Sequence, residues 1–526
     1  MQTYALTIDK ILDHAAKWTP AQETVWAESG EVVARFRYAE LRTRANHLSG
    51  ALAALGVVGG DRVATLAWNT RHHLELYYGI MGMGAVCHTL NPRLTAKQIA
   101  ATVRDAEDMV LAVAADLLPL ALEVVRECPG VRHVIEIDRT PGTGGSSGAL
   151  EYEALLAERG KPFEWGAFAE ETPAGLCYTS GTTGCPKGVL YTHRSNYLHT
   201  LRALQADAVG LTARDTLLMA VPMFHANGWG LPFAAPAAGA RLVLPGRQLD
   251  GASLFSLMQG EDVTIAAGVQ TVWLGLVDYM DEAGVDLPKL ERVVIGGSAC
   301  PDALLDRFEE RLGARVQTSW GMTEMSPIGT MAPANSLVQR GGGAGRPLLG
   351  VDLKLTDADG KTLPEQRGVL GHLKVKGASV VDRYFGIDGP LLDAEGYFDT
   401  GDLATIDAAG NLAINGRAKD LIKSGGEWIN PAEIEAIVGR HPSVRHVAVI
   451  ARPDPKWGER PVLVVERDAA DDDEALLAML RGRVADWWIP REIASVAAMP
   501  LAATGKIDKA RLRADFVAGR LSAAAA

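Results

Sequence analysis

The sequence predicts an α/β protein in two parts: a large N-terminal unit of sheets and helices and a small C-terminal α+β unit. Three observations carry this. The chain has 526 residues, more than one ordinary domain holds. Short β-type runs alternate with helical patterns through its first third. Finally, the character of the sequence changes near residue 418.

Residues 62–67 (RVATLA) read as a strand, 71–81 as a helix and 110–113 as another strand. Strands alternating with helices make a largely parallel sheet covered on both faces. Residues 140–148 (TPGTGGSSG) read as a flexible surface loop by composition. Strand–turn units recur at 176–178 and at 293–295, the second running into Gly296-Gly297-Ser298. In such sheets, loops at the carboxyl ends of strands build the ligand site. Residues 351–414 are β-rich and dense in glycine and aspartate. Beyond them Asn430 reads as a helix cap with Pro431 in the first turn. Two apolar runs follow, 444–450 and 461–465, then a helix over 473–488. This last segment is about a hundred residues, the size of one domain. No internal repeat is present.

Composition narrows the class. Hydrophobic residues are 48% and charged residues 22%, the balance of a soluble globular protein. The formal net charge is −12 with both signs interspersed, which argues against nucleic-acid binding. Five cysteines are scattered without a CxxC pair, as expected of buried thiols in a reducing cytoplasm rather than disulfides or a metal site. The start, Met1-Gln2-Thr3-Tyr4, lacks a signal-peptide pattern, and residues 77–86 are too short and glycine-broken to span a membrane. No lipidation signal ends the chain. The expectation is a cytoplasmic protein without integral membrane association.

Tyr178-Thr179-Ser180-Gly181-Thr182-Thr183-Gly184-Cys185-Pro186-Lys187-Gly188-Val189 carries the strongest chemical signal. Glycines let the backbone approach an anion closely, and successive N–H groups form a concave anion site. The hydroxyls of Thr179, Ser180, Thr182 and Thr183 add donors, and Lys187 adds positive charge. A Walker A loop is excluded, because Pro186 and Gly188 flank the lysine where that motif needs Gly and Ser/Thr.

This run resembles the phosphate loop of the adenylate-forming superfamily, which includes acyl-CoA ligases, amino-acid adenylation domains and luciferases. Further motifs of that family follow in its order. They are Trp320-Gly321-Met322-Thr323-Glu324, Thr400-Gly401-Asp402, Arg417-Ala418-Lys419-Asp420, Lys423-Ser424-Gly425-Gly426-Glu427 and Thr504-Gly505-Lys506. The pattern is most similar to medium- or long-chain fatty acyl-CoA synthetases. The resemblance implies residues 1–418 as an ATP- and acyl-binding domain of layered sheets and helices. It implies residues 419–526 as a mobile domain carrying a catalytic lysine.

ATP, Mg²⁺ and coenzyme A are the implied cofactors and partners, together with a small-molecule acid. By resemblance, Asp402 with Arg417 meets the ribose, since a carboxylate offers two acceptor oxygens. Glu324 and Thr179 serve Mg²⁺ and catalysis, Glu324 as a hard oxygen ligand. Gly297, Ser298, Ala299, Trp320, Gly321, Met322, Thr323 and Lys423 complete the nucleotide set with the phosphate loop. Lys506 stabilises charge at the reacting α-phosphate, as a long flexible ammonium can. Lys419 is the implied hinge, and Ser424, Gly425, Gly426 and Glu427 line the thiol's path after a domain rotation.

Val221-Pro222-Met223-Phe224-His225-Ala226-Asn227-Gly228-Trp229 resembles the family's acid-binding block. His225 would gate the site or orient the carboxylate. With Trp229, Val269, Gln270, Gly296 and Gly321 it makes the implied acyl pocket. Ala226 stands where amino-acid-activating relatives carry an acidic residue, so an uncharged acyl tail is expected. Gln270 stands where many members have proline. The leading reading is a ligase of a medium- or long-chain fatty acid or similar apolar acid. An aryl or short substituted-acid CoA ligase, and a carrier-loading acyl-adenylating module, remain as alternatives. Resemblance to long-chain members allows a homodimer.

Overall fold

The structure, a computed structural model, describes residues 1–139, 148–179, 186–297, 300, 302–333, 343–425, 427–467, 473–502, 506–521 and 523–525. The loop expected at 140–148 therefore lies almost wholly outside the described residues. The described residues form four sheets. A seven-stranded sheet has at its centre the parallel strands Val110–Ala114, Arg62–Leu66, Val86–Thr89 and Pro173–Tyr178. A nine-stranded sheet has at its centre the parallel strands Arg315–Gly321, Arg292–Ile295, Ile265–Gly268, Thr216–Met219 and Arg241–Leu244.

The main core lies between these two sheets. One hydrophobic cluster joins Val63 and Val110 of the first to Leu217 and Leu242 of the second. Helix Arg71–Gly82 runs through it, and every residue from His73 to Gly82 is buried. The helix's buried polar members are partnered there: Glu75 accepts from Arg44, Arg71 and Tyr152, and His73 meets Thr65. Thr70 caps it, its side chain accepting from His73 N–H at 3.3 Å.

Strands Val351–Thr356, Leu370–Gly377, Phe398–Ile406 and Leu412–Arg417 make an antiparallel sheet. The short turn Ala418–Asp420 leads out of it into the small domain. There a six-stranded sheet is built around the long hairpin Val444–Asp454 and Gly458–Arg467. Asn430 caps helix Pro431–Val438 as expected, its Oδ1 accepting from Ala432 N–H at 3.1 Å. The helix expected over 473–488 is a correction. It stops at Ala478, because Gly482 at φ +71° turns the chain and a short 3₁₀ turn, Asp486–Trp488, replaces the rest. No helix among the described residues is long and apolar enough to cross a membrane.

Candidate active site

Strands Val86–Thr89 and Pro173–Tyr178 are parallel neighbours, with His88 opposite Leu176 and Thr89 opposite Cys177. Both therefore end on the same edge, one delivering Asn91-Pro92-Arg93 and the other Thr179. From the second sheet, Ala220 to Pro222, Val269, Gly297, Trp320 and Gly321 reach the same place. Between them lies a cavity of about 590 Å³. Its position at carboxyl strand ends is the one that doubly wound sheets use for ligands.

On one side the wall is set by Asp402. Its two oxygens are held by the Trp320 indole N–H at 3.0 Å and by Arg417 Nε at 3.0 Å. Arg417 also donates to the Thr400 carbonyl at 2.9 Å. The antiparallel register puts Asp402 opposite Arg417. Burial pushes the Asp402 carboxyl up, and Arg417 pulls it back. Asp399, Thr400 and Gly401 face the cavity, while Asp402 lies just behind them. Each Asp402 oxygen keeps a lone pair beyond the bond it already accepts.

Glu324 is buried in the next part of the wall, its Oε1 accepting from Tyr384 OH at 2.9 Å. Burial raises its carboxyl. Lys187 Nζ stands 4.8 Å from the centre of the Tyr384 ring. Thr179 N–H donates to the Lys187 carbonyl at 2.9 Å, closing the neck of the glycine-rich loop. Ser180, Gly181, Thr182 and Thr183 lie outside the described residues, as do Ser298, Ala299, Gly426, Thr504 and Gly505. No cluster of three or more His, Cys, Asp or Glu that could hold a metal occurs among the described residues. A lone carboxylate beside Lys187 and Thr179 still suits Mg²⁺, which binds through one or two carboxylates plus substrate phosphates.

Lys506 enters from the small domain. It lines the cavity with Thr179, Lys187, Glu324 and Arg417. Its side chain is exposed. The protein around it and the Arg417 charge lower its pKa, while Asp402 and Glu324 oppose them. Lys419, the expected hinge, lines the same cavity. Lys423, Ser424, Gly425 and Glu427 do not. Lys423 lies 5.3 Å from the Trp428 ring, Ser424 is paired with Glu427, and Gly425 N–H donates to the Trp457 carbonyl at 2.8 Å.

On the other side, the backbone from Ala226 to Gly230 is left-handed throughout, with φ from +44° to +72°. Such a run is costly for Ala226, Asn227 and Trp229 and is found where surrounding structure enforces it. Ala226 N–H is held by Cys177 Sγ at 3.4 Å, and Asn227 Nδ2 by Asn196 Oδ1 at 3.3 Å. The turn presents His225 and Trp229 to the cavity. Burial, with Lys506 and Arg93 nearby, pushes the His225 pKa down to about 4. Gly296 backs Trp229: a Cβ there would come within 2.9 Å of the indole. Val269, Gly321 and Met322 line the cavity as expected. Gln270 is a correction. It lines a neighbouring cleft between the domains, with Ala432 and Glu433, while Val269, Thr271 and Val272 line the cavity.

Sequence reasoning missed Arg93 and Tyr384, which also line the cavity, as do Phe224 of the acid-binding block and Thr271. For Arg93 a signal existed: a cation directly after the strand that neighbours the phosphate-loop strand.

Residues 12–385 match the family model described as AMP-binding enzyme, and residues 433–506 that of the AMP-binding enzyme C-terminal domain. A 3-methylmercaptopropionyl-CoA ligase from Ruegeria lacuscaerulensis is 42% identical over 536 residues, covering 98% of each chain. A medium-chain-fatty-acid–CoA ligase from Ectopseudomonas oleovorans is 41% identical, covering 98% of this chain and 97% of that one. The crystal structure of an anthranilate CoA ligase in complex with anthranoyl-AMP matches with a TM-score of 0.88 at 25% identity, covering 98% and 99% of the two chains.

Proposed function

The chain belongs to the AMP-binding enzyme family and is an ATP-dependent acyl-CoA ligase working through an acyl-adenylate; from there we propose that its acid is uncharged in the tail, apolar, and short to medium in length. One observation carries the proposal. A single cavity of about 590 Å³ has to hold the nucleotide and the acyl group together. Cavities of roughly 300–1,000 Å³ ordinarily hold one drug-sized ligand, so a compact acyl group beside the nucleotide suits this one. The acyl end is lined by Phe224, Trp229, Leu249, Val269 and Val272, with no carboxylate among the described residues to pair an ammonium. The names of the two relatives, a ligase of 3-methylmercaptopropionate and one of medium-chain fatty acids, point the same way.

In the first half-reaction a carboxylate oxygen attacks the α-phosphorus of ATP, and the bond to pyrophosphate breaks. Lys506 neutralises charge on the α-phosphoryl oxygens, and Lys187 with the Thr179 loop holds the departing phosphates. Glu324 and Thr179 would hold Mg²⁺, which when bound neutralises phosphate charge. The Thr400–Asp402 stretch of strand Phe398–Ile406 receives the ribose with Arg417. In the second half-reaction the CoA sulfur attacks the acyl carbon and AMP leaves. With Lys506 inside the cavity the small domain has to turn about Lys419, which brings the Lys423–Glu427 hairpin to the thiol's path.

Pyrophosphate release over a series from acetate to palmitate, with 3-methylmercaptopropionate and benzoate included, tests the reading. The highest kcat/KM is expected on short or medium aliphatic acids. Best turnover on palmitate would overturn the proposed length, and best turnover on benzoate the proposed shape.

A further inference from the structure

We propose that Tyr384 is a positioning residue for the first half-reaction: its hydroxyl holds Glu324, its ring face holds Lys187, and the two are so kept available to the phosphates. The proposal rests on the roles given above to Glu324 and Lys187. Residues 381–385 follow strand Leu370–Gly377 and are pinned at both ends. Val381 N–H donates to the Glu324 carbonyl and Phe385 N–H to the Gly188 carbonyl, each at 2.8 Å. The segment therefore reaches from Glu324 to the residue after Lys187. Tyr384 stands between the two pins and lines the cavity. Its OH donates to Glu324 Oε1 at 2.9 Å, and Lys187 Nζ stands 4.8 Å from the centre of its ring. The Phe398 ring packs across it at 76°, with the centroids 6.5 Å apart, which fixes the plane of the tyrosine.

Lys187 and Glu324 carry opposite charges in one cavity. Burial raises the Glu324 carboxyl, and the Tyr384 hydroxyl with the charges of Arg417 and Lys187 pulls it back. Left to themselves, an ammonium and a carboxylate so placed close into an ion pair. The ammonium then has less to offer a phosphate, and the carboxylate less to offer Mg²⁺. The structure instead gives each its own part of Tyr384, the ring face to Lys187 and the hydroxyl to Glu324. A ring face attracts an ammonium more weakly than a charged hydrogen-bonding partner does, so Lys187 stays free to meet phosphate oxygens. A carboxylate held through one oxygen keeps its remaining lone pairs in a fixed direction.

Tyr384→Phe removes the hydroxyl and keeps the ring, whereas Tyr384→Leu removes both. ATP binding to the full-length protein, titrated calorimetrically in EDTA and then in Mg²⁺, reads the two contacts separately. The Phe variant should bind ATP as the wild type does in EDTA, and its gain in affinity on adding Mg²⁺ should be about tenfold smaller, the worth of a hydrogen bond to a charged group. The Leu variant should in addition bind about threefold more weakly in EDTA, the worth of a solvent-accessible cation–π contact. In turnover, the Mg²⁺ concentration for half-maximal pyrophosphate release should rise in the Phe variant while KM for the acid stays unchanged. CoA thioester formation from premade acyl-adenylate should match the wild type, which also shows that both variants fold. A full Mg²⁺ gain in the Phe variant would overturn the proposal, and equal loss in both half-reactions would reduce Tyr384 to a structural residue. Glu324→Gln, titrated alongside, should lose most of the Mg²⁺ gain; if it keeps that gain, the role given to Glu324 is at fault and not the tyrosine's hold on it.

Discussion

Lys506→Met is the sharpest perturbation, because the structure separates its effect on chemistry from any effect on folding. Asp402 would keep its bonds to Arg417 and Trp320, both at 3.0 Å, and Glu324 its bond to Tyr384 at 2.9 Å. No buried carboxylate is stranded, so stability should hold. What disappears is the Lys506 ammonium, which lines the cavity. Removing one charge stabiliser of a transition state typically costs about a hundredfold or more, roughly 2.7 kcal/mol at 1.36 kcal/mol per decade. The variant should therefore lose at least about two decades of acid-dependent pyrophosphate release. Its rate of thioester formation from premade acyl-adenylate should stay close to that of the wild type, since the proposed rotation withdraws Lys506 for that step. Equal losses in the two half-reactions would refute the assignment of Lys506 to the first step alone.

Gly296→Ala would bring a methyl group to 2.9 Å from the Trp229 indole and 2.6 Å from Ser319 Oγ. Ordinary carbon contact needs about 3.5 Å or more, so the indole must move about half an ångström or more into the acyl end. The longest acid accepted should lose about tenfold in kcat/KM, the lower worth of one methylene, with KM for ATP unchanged; an unaltered chain-length profile would remove Trp229 as the limit of the pocket. His73 and His193 are fully buried, and burial pushes their pKa down to about 4 and about 3. Their value in the unfolded chain is about 6.5, so on acidification below it the unfolded chain binds more protons and stability falls towards pH 4. The urea midpoint should drop over that range, and His193→Gln should flatten the drop; an identical acid slope in the variant would discard the explanation.

How much was legible in the sequence follows from how each part of the site is built. The phosphate side is made of contiguous motifs whose glycines, hydroxyls and lysine carry their chemistry on their face. Thr179, Lys187, Trp320, Glu324, Arg417 and Lys506 were named from such motifs, and all line one cavity. The strands were legible for the same reason, apolar runs bounded by turn residues, as at 62–67 against the observed Arg62–Leu66. The helix expected over 473–488 failed because Leu476, Leu477 and Leu480 keep helical spacing up to the point where Gly482 turns the chain. Arg93 and Tyr384 were missed because neither sits in a motif. Each reaches the cavity through strand order and chain return that a linear pattern does not encode.

The left-handed turn Ala226–Gly230 is the clearest case of information held only in three dimensions. Nothing in Ala-Asn-Gly-Trp-Gly forces φ positive at every residue, and left-handed backbone costs roughly 1–2 kcal/mol at each of the three non-glycine positions. The surroundings have to supply that energy. Asn227 is buried against Asn196 on the helix His193–Ala203, and the Trp229 indole packs on Gly296. Ala226 N–H is held by Cys177, two residues before Thr179. That last bond ties the wall that faces the acid to the strand that feeds the phosphate loop. A right-handed turn over the same residues would also set His225 and Trp229, four residues apart, on one face, but it would direct that face elsewhere. The strain therefore sets which way the acid lies relative to the phosphates. It is rigid because it is paid for by both sheets at once, and the two reacting groups inherit their alignment from the interface between them.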